Sequence, residues 1–168
     1  MAGRSKGRRR VRNNFPDLLQ EIEAKCATRL RYYPSELHGL NHLKEVALLA
    51  GRIAAEMDED VEAAMVAGFL HDCARTDDGV GTRHARDSAK LARPVLKECF
   101  PHLDAERICC AIERHADGKV TEDPLAGALW DADRLTLPRL GYEVCVELMS
   151  TEAGRRMASR QRSERGES

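Results

Sequence analysis

The sequence predicts an all-α protein, a compact helical bundle of about six or seven helices. Three observations carry this. Its 168 residues are one domain's worth of chain. Every long segment between the two ends places its apolar residues with helical period, and none shows the sustained apolar/polar alternation of a strand.

A first helix is expected from Phe15 to Leu30, with Pro16 at its start, Leu18, Leu19, Ile22 and Cys26 on one face, and Tyr32-Tyr33-Pro34 beyond its end. A second, from about His38 to Met57, carries Leu43, Val46, Ala47, Ala50, Ile53, Ala54 and Met57 inward. The third, about Glu59 to Ala74, begins in acids that suit a helix N-terminus and is densely apolar through Val66–Leu70. Arg75–Thr82, with Gly79 and Gly81, is the one long internal loop signal. Helices resume at about His84–Cys99, Leu103–Ala116, Asp123–Leu135 and Pro138–Arg156. The domain is therefore expected over residues 15–151, between a basic tail (1–14) and a polar C-terminal tail (152–168).

Composition narrows the function classes. Hydrophobic residues make up 42% and charged residues 33%, as in globular proteins, and only 4% are aromatic, so the core must be aliphatic. No apolar run approaches the roughly 20 residues of a membrane span, and the N-terminus lacks the apolar stretch of a secretory signal, so a cytoplasmic protein without a membrane partner is expected. No two of the six cysteines have Cys-x-x-Cys spacing; they are expected to be reduced and mostly buried. The net charge of −1 hides a segregation, because residues 13–151 hold 16 bases against 25 acids while both ends are basic. Such an acidic body argues against a nucleic-acid surface, leaving only the Arg-rich N-terminal arm for a weak contact. The apolar residues Val144, Val146, Leu148 and Met149 fall on several faces of the last expected helix and allow a homodimer.

The histidines carry the chemical signal. His42 lies on the second helix, His71-Asp72 ends the third, His84 opens the fourth, His115 ends the fifth, and Asp131-Ala132-Asp133 lies on the sixth. Imidazole and carboxylate together suit divalent transition metals. His115 continues the stripe of Ile108 and Ile112, and Asp133 that of Leu129 and Trp130, so both point inward; Asp131 turns about 160° away and reads as an exposed or supporting acid. A buried carboxylate needs a partner, which a metal ion supplies.

His42, then AGFLHDCAR, then DADRL resembles the HD-domain superfamily of metal-dependent phosphohydrolases over about residues 36–140. The resemblance implies a helical HD-domain-like fold in which His42, His71, Asp72 and Asp133 bind a divalent metal (Mn, Fe, Co, Ni, Zn or Mg). Members with two metals insert two further histidines before the last Asp, where this sequence has His84 and His115, so Asp72 is expected to bridge two ions. HD-GYP phosphodiesterases, diadenosine tetraphosphate hydrolases and some HD-domain oxygenases share this order, but no Gly-Tyr-Pro motif is present. In many members a Lys after the dipeptide meets substrate phosphate, and here Arg75 stands there. The implied reaction is hydrolysis of a small phosphorylated metabolite, a nucleotide first, by a metal-activated water, with Asp72 and Arg75 catalytic. Arg134 and Arg83 are weaker candidates for phosphate contacts, and Asp77 and Asp78 for acid/base roles. His38, one turn before His42, is expected to face substrate or support the ligands. The alternatives are a di-iron oxygenase with the same ligands and a non-catalytic metal- or nucleotide-binding regulator.

Overall fold

A computed structural model describes residues 14–166; the Arg-rich arm lies outside the described residues apart from Asn14. Among the described residues seven α-helices form the domain, α1 (Phe15–Cys26), α2 (Leu40–Glu56), α3 (Val61–Leu70), α4 (Arg83–Cys99), α5 (Ala105–Glu113), α6 (Pro124–Leu135) and α7 (Glu152–Glu164). No strand occurs among the described residues. No helix among them is long and apolar enough to cross a membrane.

Helix α3 is apolar on every side, and a helix of that kind belongs in the middle. Residues Ala63 to Leu70 are all buried, and α3 packs against α2, α6, α5, α1 and α4. Asp60, Asp104 and Asp123 cap α3, α5 and α6, each accepting from the backbone N–H three residues on, at 2.8–3.0 Å. These caps fix where the helices begin. The cysteines divide, with Cys26, Cys73 and Cys109 buried but Cys110 and Cys145 exposed.

The α2–α3 crossing depends on Gly68. A Cβ there would lie 2.8 Å from Ala47 Cα and 2.9 Å from Ala47 N, backbone atoms that cannot step aside. Gly68→Ala should therefore destabilise by roughly 1–3 kcal/mol, the usual range for overpacking, although Ala is about 1 kcal/mol the better helix former. Thermal unfolding checks the sign; a raised Tm would mean that the crossing relaxes freely.

The chain after α6 departs from expectation. In place of a helix over 138–156 there are two short 3-10 turns, Leu137–Leu140 and Val146–Leu148, joined by irregular backbone. Gly141, at φ +83°, closes the first turn. Val144 and Met149 then dip into the core while Tyr142 and Leu148 stay exposed, so these apolar residues lie on an irregular connection and not on the expected helix. Residues 152–164, expected to be a polar tail, form α7. Ala153, Gly154 and Ala158 are buried, and these small residues let an Arg-rich helix dock without a large apolar stripe.

Candidate metal centre

The turn that ends α3 places the centre. His71 and Asp72 follow Leu70 in a tight turn closed by Cys73 N–H to Leu70 O (3.2 Å) and Arg75 N–H to Asp72 O (3.0 Å). Helices α2, α4, α5 and α6 bring His42, His84, His115 and Asp133 to the same place.

Two groups of three ligand atoms result, both using His71. In the first, His42 Nε2, His71 Nε2 and Asp133 Oδ1 are mutually 3.2, 3.4 and 3.5 Å apart. The second joins His71 with Asp72 and His115. Bonds of roughly 2.0–2.2 Å to one ion set neighbouring ligand atoms about 3.0–3.5 Å apart, and the first group has that spacing. Asp72 Oδ1, buried and without a hydrogen-bond donor, lies 3.4 Å from His84 Nε2 and 3.5 Å from His115 Nε2. A buried carboxylate oxygen left so is rare unless an ion completes it.

Tautomers fit the same reading. His71 Nδ1 donates to Gly68 O at 2.7 Å and His115 Nδ1 to Ile112 O at 2.8 Å, because a carbonyl can only accept. With Nδ1 so engaged, each ring presents Nε2 to the cluster, the orientation a metal requires. Burial pushes the pKa of His42 down to about 4, and that of His84 likewise to about 4, so both rings are neutral near pH 7. Burial would also lower that of His71, but Asp72 and Asp133 hold it above the ordinary histidine value. Burial works against the charge on the two carboxylates; His71 and His115 around Asp72, and His42 and His71 around Asp133, hold both well below the usual range. The pocket is thus built for positive charge.

His84 is the outlying member. It belongs to neither group, and its Nε2 is 3.5 Å from Arg75 Nη2 as well as near Asp72. His115→Ala should accordingly remove most of the metal from the Asp72 side, while His84→Ala lowers its affinity by about 10-fold or less. Metal per chain, measured across a chelator series, separates them; equal loss would place His84 among the main ligands.

The other expected residues sort by contact. Arg75 Nε donates to Asp72 Oδ2 (3.1 Å) and Nη1 to the carbonyls of Gly79 (2.7 Å) and Asp77 (3.4 Å), so it ties the 75–82 loop to the centre. His38 Nδ1 lies 2.7 Å from Asp78 Oδ1, which also accepts from Ser35 Oγ at 2.7 Å; these two bonds hold the Asp78 carboxyl below its usual range. The His38 ring meets that of His42 edge-on, with centroids 5.7 Å apart, a supporting position. Asp77 accepts from Gly79 N–H and shapes the loop. A cleft of about 480 Å³ opens beside His84, lined by Arg75, Asp77 and Arg83 among others.

Two expectations are corrected. Arg134 is buried, and its guanidinium donates to the carbonyls of Lys119 and Leu148, so it clamps the C-terminal connection instead of meeting a ligand. Asp131 is not exposed; it is fully buried and receives the N-terminus of α7. One residue the sequence did not signal is Arg139, from the turn after α6. Its Nε donates to Leu37 O (3.0 Å), and its Nη1 to Thr136 O (3.0 Å) and Thr136 Oγ1 (2.7 Å). Burial lowers its pKa, while the fields of Asp133, Glu45 and Asp72 oppose that.

A helical domain gathering histidines and aspartates from five places around one turn defines the class, a helical domain with a candidate metal centre. The family model of the HD domain matches residues 39–137, and the chain belongs to that family. Ribonuclease Y of Oceanobacillus iheyensis is 33% identical over 133 residues, which cover 78% of this chain and 23% of the ribonuclease. That of Enterococcus faecalis is 43% identical over 79 residues, covering 46% of this chain and 14% of the relative. The chain spans less than a quarter of the length of these curated relatives. Among solved structures, a predicted HD superfamily hydrolase from an uncultured Thermotogales bacterium shares the fold, with a TM-score of 0.66 over 90% of this chain and 87% of the other at 24% identity.

Proposed function

We propose that this chain is a metal-dependent phosphohydrolase of small phosphorylated metabolites, nucleotides foremost. The observation that carries the proposal is the pair of ligand groups sharing His71, with Nε2 atoms and low-pKa carboxylates converging at ligand–ligand spacing. His42, His71 and Asp133 would hold one divalent ion, and Asp72 and His115, with His84 alongside, a second. A bound divalent metal supplies a Lewis acid that polarises a phosphoryl oxygen and lowers the pKa of water.

The chain's own residues do the rest. Carbonyls of Gly68 and Ile112 fix the ligand rings and save reorientation on binding. Arg75 keeps Asp72 aimed by its Nε bond and anchors the loop that walls the cleft. Asp78, oriented by Ser35, sets the tautomer of His38 with Nδ1 as donor and leaves Nε2 available beside His42.

A second reading, cleavage of RNA phosphodiesters, is favoured by the likeness to ribonuclease Y. Against it stands the acidic body, with 25 acids to 16 bases over residues 13–151, which repels a polyanion. The test combines metal content with turnover of mononucleotides, dinucleoside polyphosphates and a short RNA in Mn²⁺, Fe²⁺ and Co²⁺, with and without oxygen. Anaerobic phosphate release from a small nucleotide supports the proposal. Turnover of RNA alone favours the second reading, oxygen-dependent turnover replaces hydrolysis with oxygenation, and bound nucleotide without turnover under any condition leaves a regulator.

A further inference from the structure

We propose that Arg139 is an anion-binding residue of this centre, its guanidinium receiving a phosphoryl oxygen of a ligand seated on the His/Asp cluster. The inference rests on the phosphohydrolase reading and names the group that orients the ligand.

Arg139 is anchored, placed and unspent. Its Nε and Nη1 are held by Leu37 O, Thr136 O and Thr136 Oγ1, which fix the guanidinium plane. Thr136 Oγ1 in turn donates to the carbonyl of Asp133 at 2.7 Å, and Leu37 precedes His38, so both anchors border the cluster. Among the described residues its Nη2 carries no hydrogen bond and the guanidinium makes no ion pair within 4 Å, although the acids of the centre lie close enough for their fields to reach it. A half-buried cation held beside acids but paired with none retains its electrostatic demand for an anion. The planar N–H fork of Arg suits a phosphoryl group.

The contrast with Arg75 matters. Arg75 already spends Nε on Asp72 and Nη1 on two loop carbonyls, and its Nη2 faces His84. Two bound divalent ions would outweigh the charges of Asp72 and Asp133, and Arg139 adds a directional donor to that positive centre. Its donors are those left over for a ligand oxygen.

The experiment is titration of inorganic phosphate into the metal-loaded chain by calorimetry, for the native protein, Arg139→Lys and Arg139→Gln, with metal content and thermal unfolding measured on each. The proposal expects Arg139→Gln to weaken phosphate binding at least 10-fold with metal content unchanged, and Arg139→Lys to recover part of the loss. Phosphate affinity within twofold of native in Arg139→Gln overturns it. If that variant does not fold, arginine-selective labelling of the native chain by phenylglyoxal decides: phosphate should protect Arg139 several-fold when metal is present, and no protection overturns the proposal. The two readings fail separately. Phosphate binding that depends on Arg139 without turnover of any substrate sinks the hydrolase alone, whereas turnover with phosphate affinity indifferent to Arg139 sinks the anion site alone.

Discussion

Replacing Asp72 with alanine is expected to lower turnover by at least 1,000-fold and to remove most of the bound metal, while the helical content measured by circular dichroism stays close to native. Its ion-pair partners among the described residues are groups of the centre, with Arg75 Nε at 3.1 Å, His84 and His115 at 3.4 and 3.5 Å, and His71 at 3.7 Å. Its loss removes a buried carboxylate from the proposed centre and also frees Arg75, whose other bonds hold the loop. Asp72→Asn separates the two effects, since the amide keeps the shape and an oxygen for Arg75 but loses the charge, and should retain the loop while lowering metal affinity by about 10–100-fold. Elemental analysis with activity on the same samples checks both variants. Native turnover by a metal-replete Asp72→Ala protein would sink the assignment of the centre.

How far the sequence revealed this centre follows from how each residue's position is encoded. Helical period puts His115 and Asp133 on inward faces, and the resemblance carried by AGFLHDCAR and DADRL adds His42, His71 and Asp72; the structure brings these five side chains together in two groups that could hold a metal ion. His84 was legible by type, but its lesser place was not, since that follows from Arg75 reaching across the loop to its ring. Arg139 was hidden because its direction is set by a 3-10 turn after Pro138, whose geometry no periodic pattern announces. Arg134 was misread because it neighbours Asp133; successive residues on a helix point about 100° apart, so adjacency in sequence implies divergence in space. The error at the C-terminus has another origin. Apolar counting finds nothing in residues 152–168, because α7 docks through small residues and hydrogen bonds.

That docking gives the largest expected effect on stability. Asp131 is fully buried, its Oδ1 accepting from Ser150 N–H at 2.7 Å and its Oδ2 from Thr151 N–H and Thr151 Oγ1, both at 2.8 Å. Burial pushes this carboxyl up, and those donors pull it back. Thr151 Oγ1 then accepts from Gly154 N–H at 2.8 Å, so the acid on α6 is continuous with the cap of α7. Gly154 leaves the room this needs, since a Cβ there would fall 2.2 Å from Asp131 Oδ2. Asp131→Ala strands the half-buried N–H of Ser150 and the buried N–H and hydroxyl of Thr151 and should cost roughly 3–5 kcal/mol. Asp131→Asn should recover little, because an amide that keeps one oxygen turns an NH₂ towards the other N–H donors. Limited proteolysis gives the local readout: if α7 is held through this acid, both variants should be cut between residues 150 and 165 under conditions that spare the native chain. Resistance equal to native, with unchanged Tm, would mean that Ala153 and Ala158 hold α7 by packing alone. Because Arg134 clamps Leu148 from the same helix that carries Asp133, releasing α7 should also loosen the connection that places Arg139, so phosphate affinity should fall in Asp131→Ala before the metal is lost.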